Sequence, residues 1–459
     1  MSLNIRIVSI TLIAALQGSG CATQAPQPQA DPLLPETWRH ADQTLNTTSG
    51  GEWWAEFANR ELNQLIEQAM QDNFDLRASF QRIEQARARL TSSRSTLFPQ
   101  LDLGYSAGSD TRWDEDDNRT NDESDRASLT ASYEVDLWGR LRSGNRAVEA
   151  ALASSAYNHR TVALSLQAQI ASSYFQFLAA HDRLRFAEEI LANSEQLLRL
   201  VELQFREGAA SRLELMQQQS SVISQQAQIN DLRNSLQQVT YALDILLGQE
   251  PGTLQLQGRS LSELHLPAIS AGQPVDLLQR RPDILQAEAA LAAAHANVEI
   301  ARTAFLPNLR LSASTSAGPL LLGDPVTQAA SIAASITAPL FNAGRNRSEY
   351  RRTLAAQEEV LLNYYQAILT AAGEVQTSLL SINNLSSNLE LEARRLALSE
   401  ESYALAELRY KAGAADFITL LDSERSLISA QDAFVQATLA RHLEAVTLFR
   451  ALGGSWFKE

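Results

Sequence analysis

The chain has 459 residues and a formal net charge of −15. That length admits several ordinary domains, and the acidic balance excludes a nucleic-acid partner, because phosphate binding needs a basic face. The only cysteine, Cys21, excludes a disulfide within the chain.

Residues 1–20 carry one cation, Arg6, an apolar run over residues 7–16, and the small residues Gly18, Ser19 and Gly20. This pattern predicts a secretory signal peptide, too short to be a spanning helix. Cys21 follows at the expected cleavage point and resembles the acylated N-terminus of bacterial lipoproteins, although Gly18 stands where such signals usually carry leucine. Ordinary cleavage beside an incidental cysteine is the alternative. Residues 21–50 form the predicted tether and linker, opening on a stretch rich in Ala, Gln and Pro that suits extended, solvated chain. No later stretch reaches eighteen consecutive apolar residues, so no transmembrane helix is expected in the mature chain.

The rest of the sequence is written twice. Phe98-Pro99-Gln100-Leu101 returns as Leu306-Pro307-Asn308-Leu309, and Phe205-Arg206-Glu207-Gly208-Ala209-Ala210 returns as Tyr410-Lys411-Ala412-Gly413-Ala414-Ala415. Two landmarks at nearly one offset predict a tandem duplication of about 200 residues. The expected repeats are 51–250 and 276–459, joined by 251–275.

Within each repeat a β-hairpin is expected after an opening helical stretch, over about 100–138 and 307–341. Leu101, Leu103, Tyr105 and Ala107 alternate with Asp102, Gly104 and Ser106, and the same period of two runs through 128–137, 309–314 and 332–338. Strands of about ten residues suit an outer-membrane wall crossed at a tilt. The acidic segment 110–126 between the first two is expected to be a solvated outer loop, with its run 114–117 only a weak calcium candidate. Four strands cannot close a membrane barrel, whose smallest examples have about eight. The chain must therefore assemble with copies of itself. Three copies close at twelve strands, and six would also close.

Long helices fill the remainder, since no proline lies between Pro99 and Pro251 or after Pro339. Leu184, Ala187, Leu191, Ser194, Leu198, Val201 and Phe205 alternate spacings of three and four, as do Leu389, Glu392, Leu396, Ser399, Tyr403, Ala406 and Tyr410, which predicts coiled-coil seams. A continuous helix over 344–411 would be roughly 100 Å long. Gly208 and Gly413 end these helices, and Ser211 with Glu214, or Asp416 alone, cap the next ones. Each repeat thus ends in an antiparallel helical hairpin with an exposed tip.

Five segments in order resemble the TolC/OprM family of outer-membrane efflux proteins, in its NodT-like lipoprotein branch. They are Trp53-Trp54 with Phe57, Glu134 to Arg140, Arg281-Pro282-Asp283-Ile284, Ala338 to Arg345, and Ala451-Leu452-Gly453-Gly454-Ser455-Trp456. The resemblance covers nearly the whole mature chain. It implies a mainly helical TolC-like α/β-barrel with four strands and long coiled-coil helices per chain, closed as a homotrimer with a twelve-stranded barrel and a periplasmic helical tunnel. A mixed α/β belt would come from the chain ends and residues 248–273. The implied partners are a periplasmic adaptor, an inner-membrane transporter of the resistance-nodulation-division type, and outer-membrane lipid. Adaptor docking would fall on Gly208, Ala209, Ala210, Gly413, Ala414 and Ala415. A periplasmic gate would fall on Ile418, Asp422 and Arg425, which share one face of a helix. A lipid would be attached at Cys21.

Catalysis has no candidate residues. The six histidines show no metal spacing, no glycine-rich loop cradles phosphate, and no cofactor or metal is expected beyond acyl groups on Cys21. A duct for small molecules is the expected function, with the outer-membrane duct of a type I protein secretion system, which has the same fold, as the alternative. A solute-free scaffold spanning the periplasm would leave the polar strand faces without a purpose.

Overall fold

The structure is a computed structural model, described here for residues 34–39, 52–113, 119–321 and 325–454. Its helices are α1 (Arg60–Asp72), α2 (Phe74–Ser95), α3 (Arg140–Arg206), α4 (Arg212–Leu246), α5 (Pro282–Thr303), α6 (Arg345–Lys411) and α7 (Phe417–Ala451). Its strands are β1 (Gln100–Trp113), β2 (Arg119–Val135), β3 (Asn308–Gly318) and β4 (Thr327–Thr337). The chain falls into two compact units, one including Arg82–Ser155 and Gln286–Tyr365, the other including Pro32–Gln81, Ala156–Leu285 and Gln366–Glu459.

The first unit holds a four-stranded antiparallel sheet in the order β1-β2-β3-β4. Its register lines up chemistry across the strands. Leu101, Ala131, Ala313 and Ile332 form one cross-strand row, and Val135, Leu309 and Ile336 another on the same face. Rows on the other face are polar: Asp102, Thr130, Ser314 and Ser331, then Glu134, Arg310 and Ser335. One face of the sheet is therefore apolar and the other hydrophilic. Along β1 and β4 every residue is exposed, Ile332 to 91 %, so the apolar face of these strands has no cover among the described residues.

The first hairpin is longer than the expected ten residues per strand, at 14 and 17, and it absorbs most of the acidic segment 110–126. Cross-strand polar pairs carry the ladder past the apolar rows. Asn121 Oδ1 accepts from Ser109 and Thr111 at 3.1 and 2.9 Å, Arg112 lies 3.7 Å from Asp122, and Arg119 lies over the Trp113 ring. Residues 114–117 lie outside the described residues.

Strand-to-helix corners explain two of the sequence motifs. After β2, Asp136 accepts from the backbone N–H groups of Leu141 and Arg142 at 3.1 and 3.0 Å, satisfying donors at the start of α3. Arg140 reaches back to Glu134 at 2.7 Å, and Trp138 Nε1 donates to the Pro307 carbonyl at 2.6 Å, tying this corner to the entry of β3. After β4, Ala343 and Gly344 both take positive φ, of 50 and 85 degrees, to turn into α6.

In the second unit an aromatic core of Trp53, Phe57, Tyr174, Phe175 and Phe449 joins α1, α3 and α7 to the short helical turn Trp53–Phe57. Arg281 is 7 % exposed and is held by Asp283 (2.6 Å), Glu374 (2.6 Å) and the Ala451 carbonyl (3.0 Å), fixing the start of α5 against α6 and the end of α7. Those two carboxylates hold its guanidinium above its ordinary pKa although burial works the other way.

The expected mixed α/β belt differs in one respect. Among the described residues, 248–273 contains no strand, only the turn Leu261–Glu263. Carboxylates take its backbone donors instead: Glu61 accepts from Gln257 and Gly258 (2.7 and 2.9 Å), Asp182 from Leu261 (2.9 Å), and Asp244 from Gly252 and Leu254 (2.6 and 3.0 Å).

Candidate functional site: the two helical tips

Both expected tips form, with the same hydrogen bonds. In the first, the Ala209 N–H donates to the Gln204 carbonyl at 2.7 Å and the Gly208 N–H to Phe205 at 3.1 Å. In the second, Ala414 donates to Arg409 at 2.8 Å and Gly413 to Tyr410 at 2.9 Å. This six-to-one closure requires a left-handed residue. Gly208 (φ 77) and Gly413 (φ 72) supply it. A Cβ at either glycine would meet nothing within 4 Å. Backbone conformation, not crowding within this chain, demands glycine here. Ala209 and Ala414 are exposed, and Ala210 and Ala415 half-buried.

The helices after the tips are capped as expected. Ser211 and Glu214 form a reciprocal capping box at the start of α4. At the start of α7, Asp416 accepts from the Thr419 N–H at 2.8 Å. The Thr419 hydroxyl and N–H together hold the Asp416 carboxyl below its ordinary pKa. Behind the tips, Leu197 and Val201 of α3 pack with Ala406 and Tyr410 of α6 and with Phe417, Leu420 and Leu421 of α7. The Tyr410 hydroxyl donates to Gln204 Oε1 at 3.0 Å, joining the two hairpins.

Ile418, Asp422 and Arg425 come together on one exposed face of α7. The Asp422 and Arg425 side chains approach to 3.5 Å and are about two-thirds and three-quarters exposed. Within one chain this is a solvated ion pair facing away from the core. Cys21 lies outside the described residues. No cluster of three or more metal-ligating acids, histidines or cysteines occurs among the described residues, and none of their helices is long and apolar enough to cross a membrane.

Sequence reasoning missed a buried polar node two turns into α7. Glu424, 2 % exposed, accepts from the Ser194 hydroxyl of α3 at 2.6 Å and from Gln225 Nε2 of α4 at 3.2 Å. Gln218 Nε2 donates to the Ser194 carbonyl at 2.9 Å. The signal was present in the polar residues at seam spacing: Ser194 on α3, and Gln218 and Gln225 seven apart on α4. Tyr403 of α6 faces the node, and burial, with the charges of Glu424 and Glu407, raises its phenol well above the ordinary value.

A sequence profile described as "Outer membrane efflux protein" matches residues 65–249 and 274–454. The chain belongs to the outer membrane efflux protein family. The pyoverdine export outer membrane protein OpmQ of Pseudomonas aeruginosa is 38 % identical to it, over 98 % of this chain and 97 % of its own. The probable outer membrane lipoprotein SilC of Salmonella typhimurium is 31 % identical, over 98 % and 99 %. The fold is similar to the crystal structure of CusC, with TM-score 0.84 and 29 % identity over 94 % of this chain and 99 % of that one. CusC of Escherichia coli is named a cation efflux system protein. The chain is thus a TolC-like outer-membrane channel of the efflux type, and its family is one of channels, not enzymes.

Proposed function

We propose that three copies of this chain form the exit duct of a tripartite pump, carrying small molecules from an inner-membrane transporter and a periplasmic adaptor to the outside. The carrying observation is the sheet. It has four strands, one apolar face, one polar face, and edge strands β1 and β4 with no further neighbour among the described residues. An open edge in lipid leaves backbone groups unpaired, so the sheet must be continued by copies of itself, and twelve strands close a barrel with a polar bore. Uncovered helix faces support the same assembly. Leu391, Leu398 and Leu405 of α6, seven apart, and Leu213, Met216 and Ile223 of α4 are exposed in the single chain.

In this reading the glycine tips receive the adaptor, and Ile418, Asp422 and Arg425 ring the periplasmic entrance, three charged pairs and three isoleucines narrowing it. A lipid on Cys21 adds an anchor, as the name of SilC suggests. The names of relatives attach pyoverdine to one and cations to another, which supports small-molecule cargo with the choice of substrate resting on the transporter. Deleting the gene and measuring accumulation of dyes, antibiotics, metal ions and exported chelators tests the reading. Accumulation should rise for at least one small molecule and return to normal on complementation. Unchanged accumulation of all of them, with loss of a secreted protein, would convert the assignment to a protein-secretion duct.

A further inference from the structure

The face of α7 that carries Asp422 and Arg425 is set by what holds the opposite face. At 3.6 residues per turn, Glu424 lies about 200° around the helix from Asp422. It is buried where Asp422 is exposed, and it makes no ion pair among the described residues. Its carboxylate is held only by neutral donors, the Ser194 hydroxyl at 2.6 Å and the Gln225 amide at 3.2 Å. Ser194 is itself gripped by Gln218, through its carbonyl at 2.9 Å and its hydroxyl at 3.2 Å. One residue of α7 is therefore fastened to two helices of the first repeat by charge-assisted and buried hydrogen bonds, which are strong and geometrically strict.

On one side of the node the junction is incompletely filled. A cavity of 30 Å³ lies among α3, α4 and α7, its lining including Ile190, Leu232, the amides of Gln225 and Gln431, and the ion-paired Arg183 and Asp432. It has space for water. The amide oxygens of Gln225 and Gln431 are buried and have no partner. Close packing is thus incomplete on this side of the node, and its hydrogen bonds add to the hold that the buried Phe417, Leu420 and Leu421 and the Arg183–Asp432 ion pair (2.6 Å) give α7.

We propose that Glu424, through Ser194 and Gln225, is the positioning residue that fixes the rotation of α7 and so keeps the Ile418, Asp422 and Arg425 face turned toward the entrance. The inference rests on the gate reading of that face. Any turn of α7 that swings Asp422 aside drags Glu424 out of the node, so gate and catch move together. Glutamine at 424 retains an oxygen for the Ser194 hydroxyl but not the charge, and so keeps part of the hold; alanine releases it.

The test uses the full chain purified in detergent, in a Cys21→Ser, Ser423→Cys background, and reads two quantities. One is single-channel conductance in planar bilayers. The other is the rate at which a maleimide labels the cysteine at 423, which is half-buried in the present rotation. Glu424→Ala and Ser194→Ala should each raise both by about tenfold, the population shift expected from losing the charge-assisted Ser194–Glu424 hydrogen bond that both variants remove. The double variant should add little to either single one, and Glu424→Gln, which keeps the acceptor but loses the charge, should fall between the parent and Glu424→Ala. Additive effects, or a Glu424→Gln variant as perturbed as Glu424→Ala, would overturn the catch. Parent-like labelling in Glu424→Ala would overturn it as well, and a rise in conductance with Asp422→Ala would then leave the gate reading intact. Faster labelling of Glu424→Ala with unchanged conductance in both Glu424→Ala and Asp422→Ala would instead keep the catch and remove the gate.

Discussion

The helices after the two tips, α4 and α7, are both 35 residues long and begin after the same turn, yet they are buried differently. On α4 the buried residues form one seam, Gln218, Val222, Gln225, Ile229 and Leu232, before Leu243 and Asp244 near its end. On α7 they spread over a wider face, including Phe417, Leu420, Leu421, Glu424, Leu427, Ala430 and Gln431. Duplication supplied two equal hairpins, and divergence gave the second the interior position within the chain. The counterpart of Phe417 is the exposed Arg212, and that of Tyr410 is Phe205, 39 % exposed. An exposed face is held in one direction best on the helix with a core behind it.

The largest break in this asymmetry should come from Phe417→Ala. Its ring is 1 % exposed and packs against Tyr410 with centroids 5.7 Å apart. Truncation should therefore cost about 3–5 kcal/mol. Arg212→Ala at the equivalent place should change thermal stability by less than about 0.5 kcal/mol. Comparable losses at both positions, measured by melting in detergent, would show that the tips are energetically equal after all.

Gly413→Leu and Gly208→Leu should sharpen the comparison. Both force a side chain into left-handed backbone, which costs roughly 1–2 kcal/mol. Neither Cβ meets another atom within this chain. Equal, modest destabilisation with an intact trimer is expected. Export should fall in both if each tip receives an adaptor, and loss of the trimer would show that the turns themselves are structural.

A smaller effect depends on pH. His442 of α7 lies buried against Phe57 and Phe175, and its counterpart on α4 is the exposed Gln237. The His442 Nδ1 donates to the Thr438 carbonyl at 2.8 Å. Burial nevertheless lowers the pKa of His442, and the nearby Arg441 charge lowers it further. The unfolded chain then binds a proton that the folded one refuses, so stability falls as pH drops through about 6.5, the ordinary histidine value. Melting temperatures at pH 7.5 and 5.0 should differ more for the parent than for His442→Gln, whereas Gln237→His should add no pH dependence.

Much of this architecture was legible because period and punctuation are local. All seven residues of the second expected seam, from Leu389 to Tyr410, are at least half-buried. In the first seam Ser194 and Val201 are buried as expected, but Leu197 is buried in place of Leu198 and Phe205 is exposed. Ile190 with Leu191 and Leu197 with Leu198 are adjacent apolar pairs, so two phases of the heptad fit the sequence equally well. The node at Ser194 accompanies the observed phase, and it depends on Glu424, 230 residues away, which no local pattern announces. The tips were readable because glycine and capping residues act on their own backbone, and the shared exposed face of Ile418, Asp422 and Arg425 because residues three and four apart lie together on a helix.

The smallest effect on stability should come from the pair that matters most to the channel reading. Asp422 and Arg425 are 3.5 Å apart and largely solvated. Asp422→Ala should therefore cost less than about 1 kcal/mol, within the range of exposed ion pairs. Its equivalents on α4 are Gln217 and Ser220, which carry no charge. If the charged face rings the entrance, Asp422→Ala should raise bilayer conductance and weaken its cation preference while the melting temperature stays put, and Gln217→Ala should do neither. A conductance change in Gln217→Ala of the same size would place both helices at the bore and dissolve the division between them. An unchanged conductance in Asp422→Ala would leave α7 as the interior helix of the hairpins but remove its role as the gate.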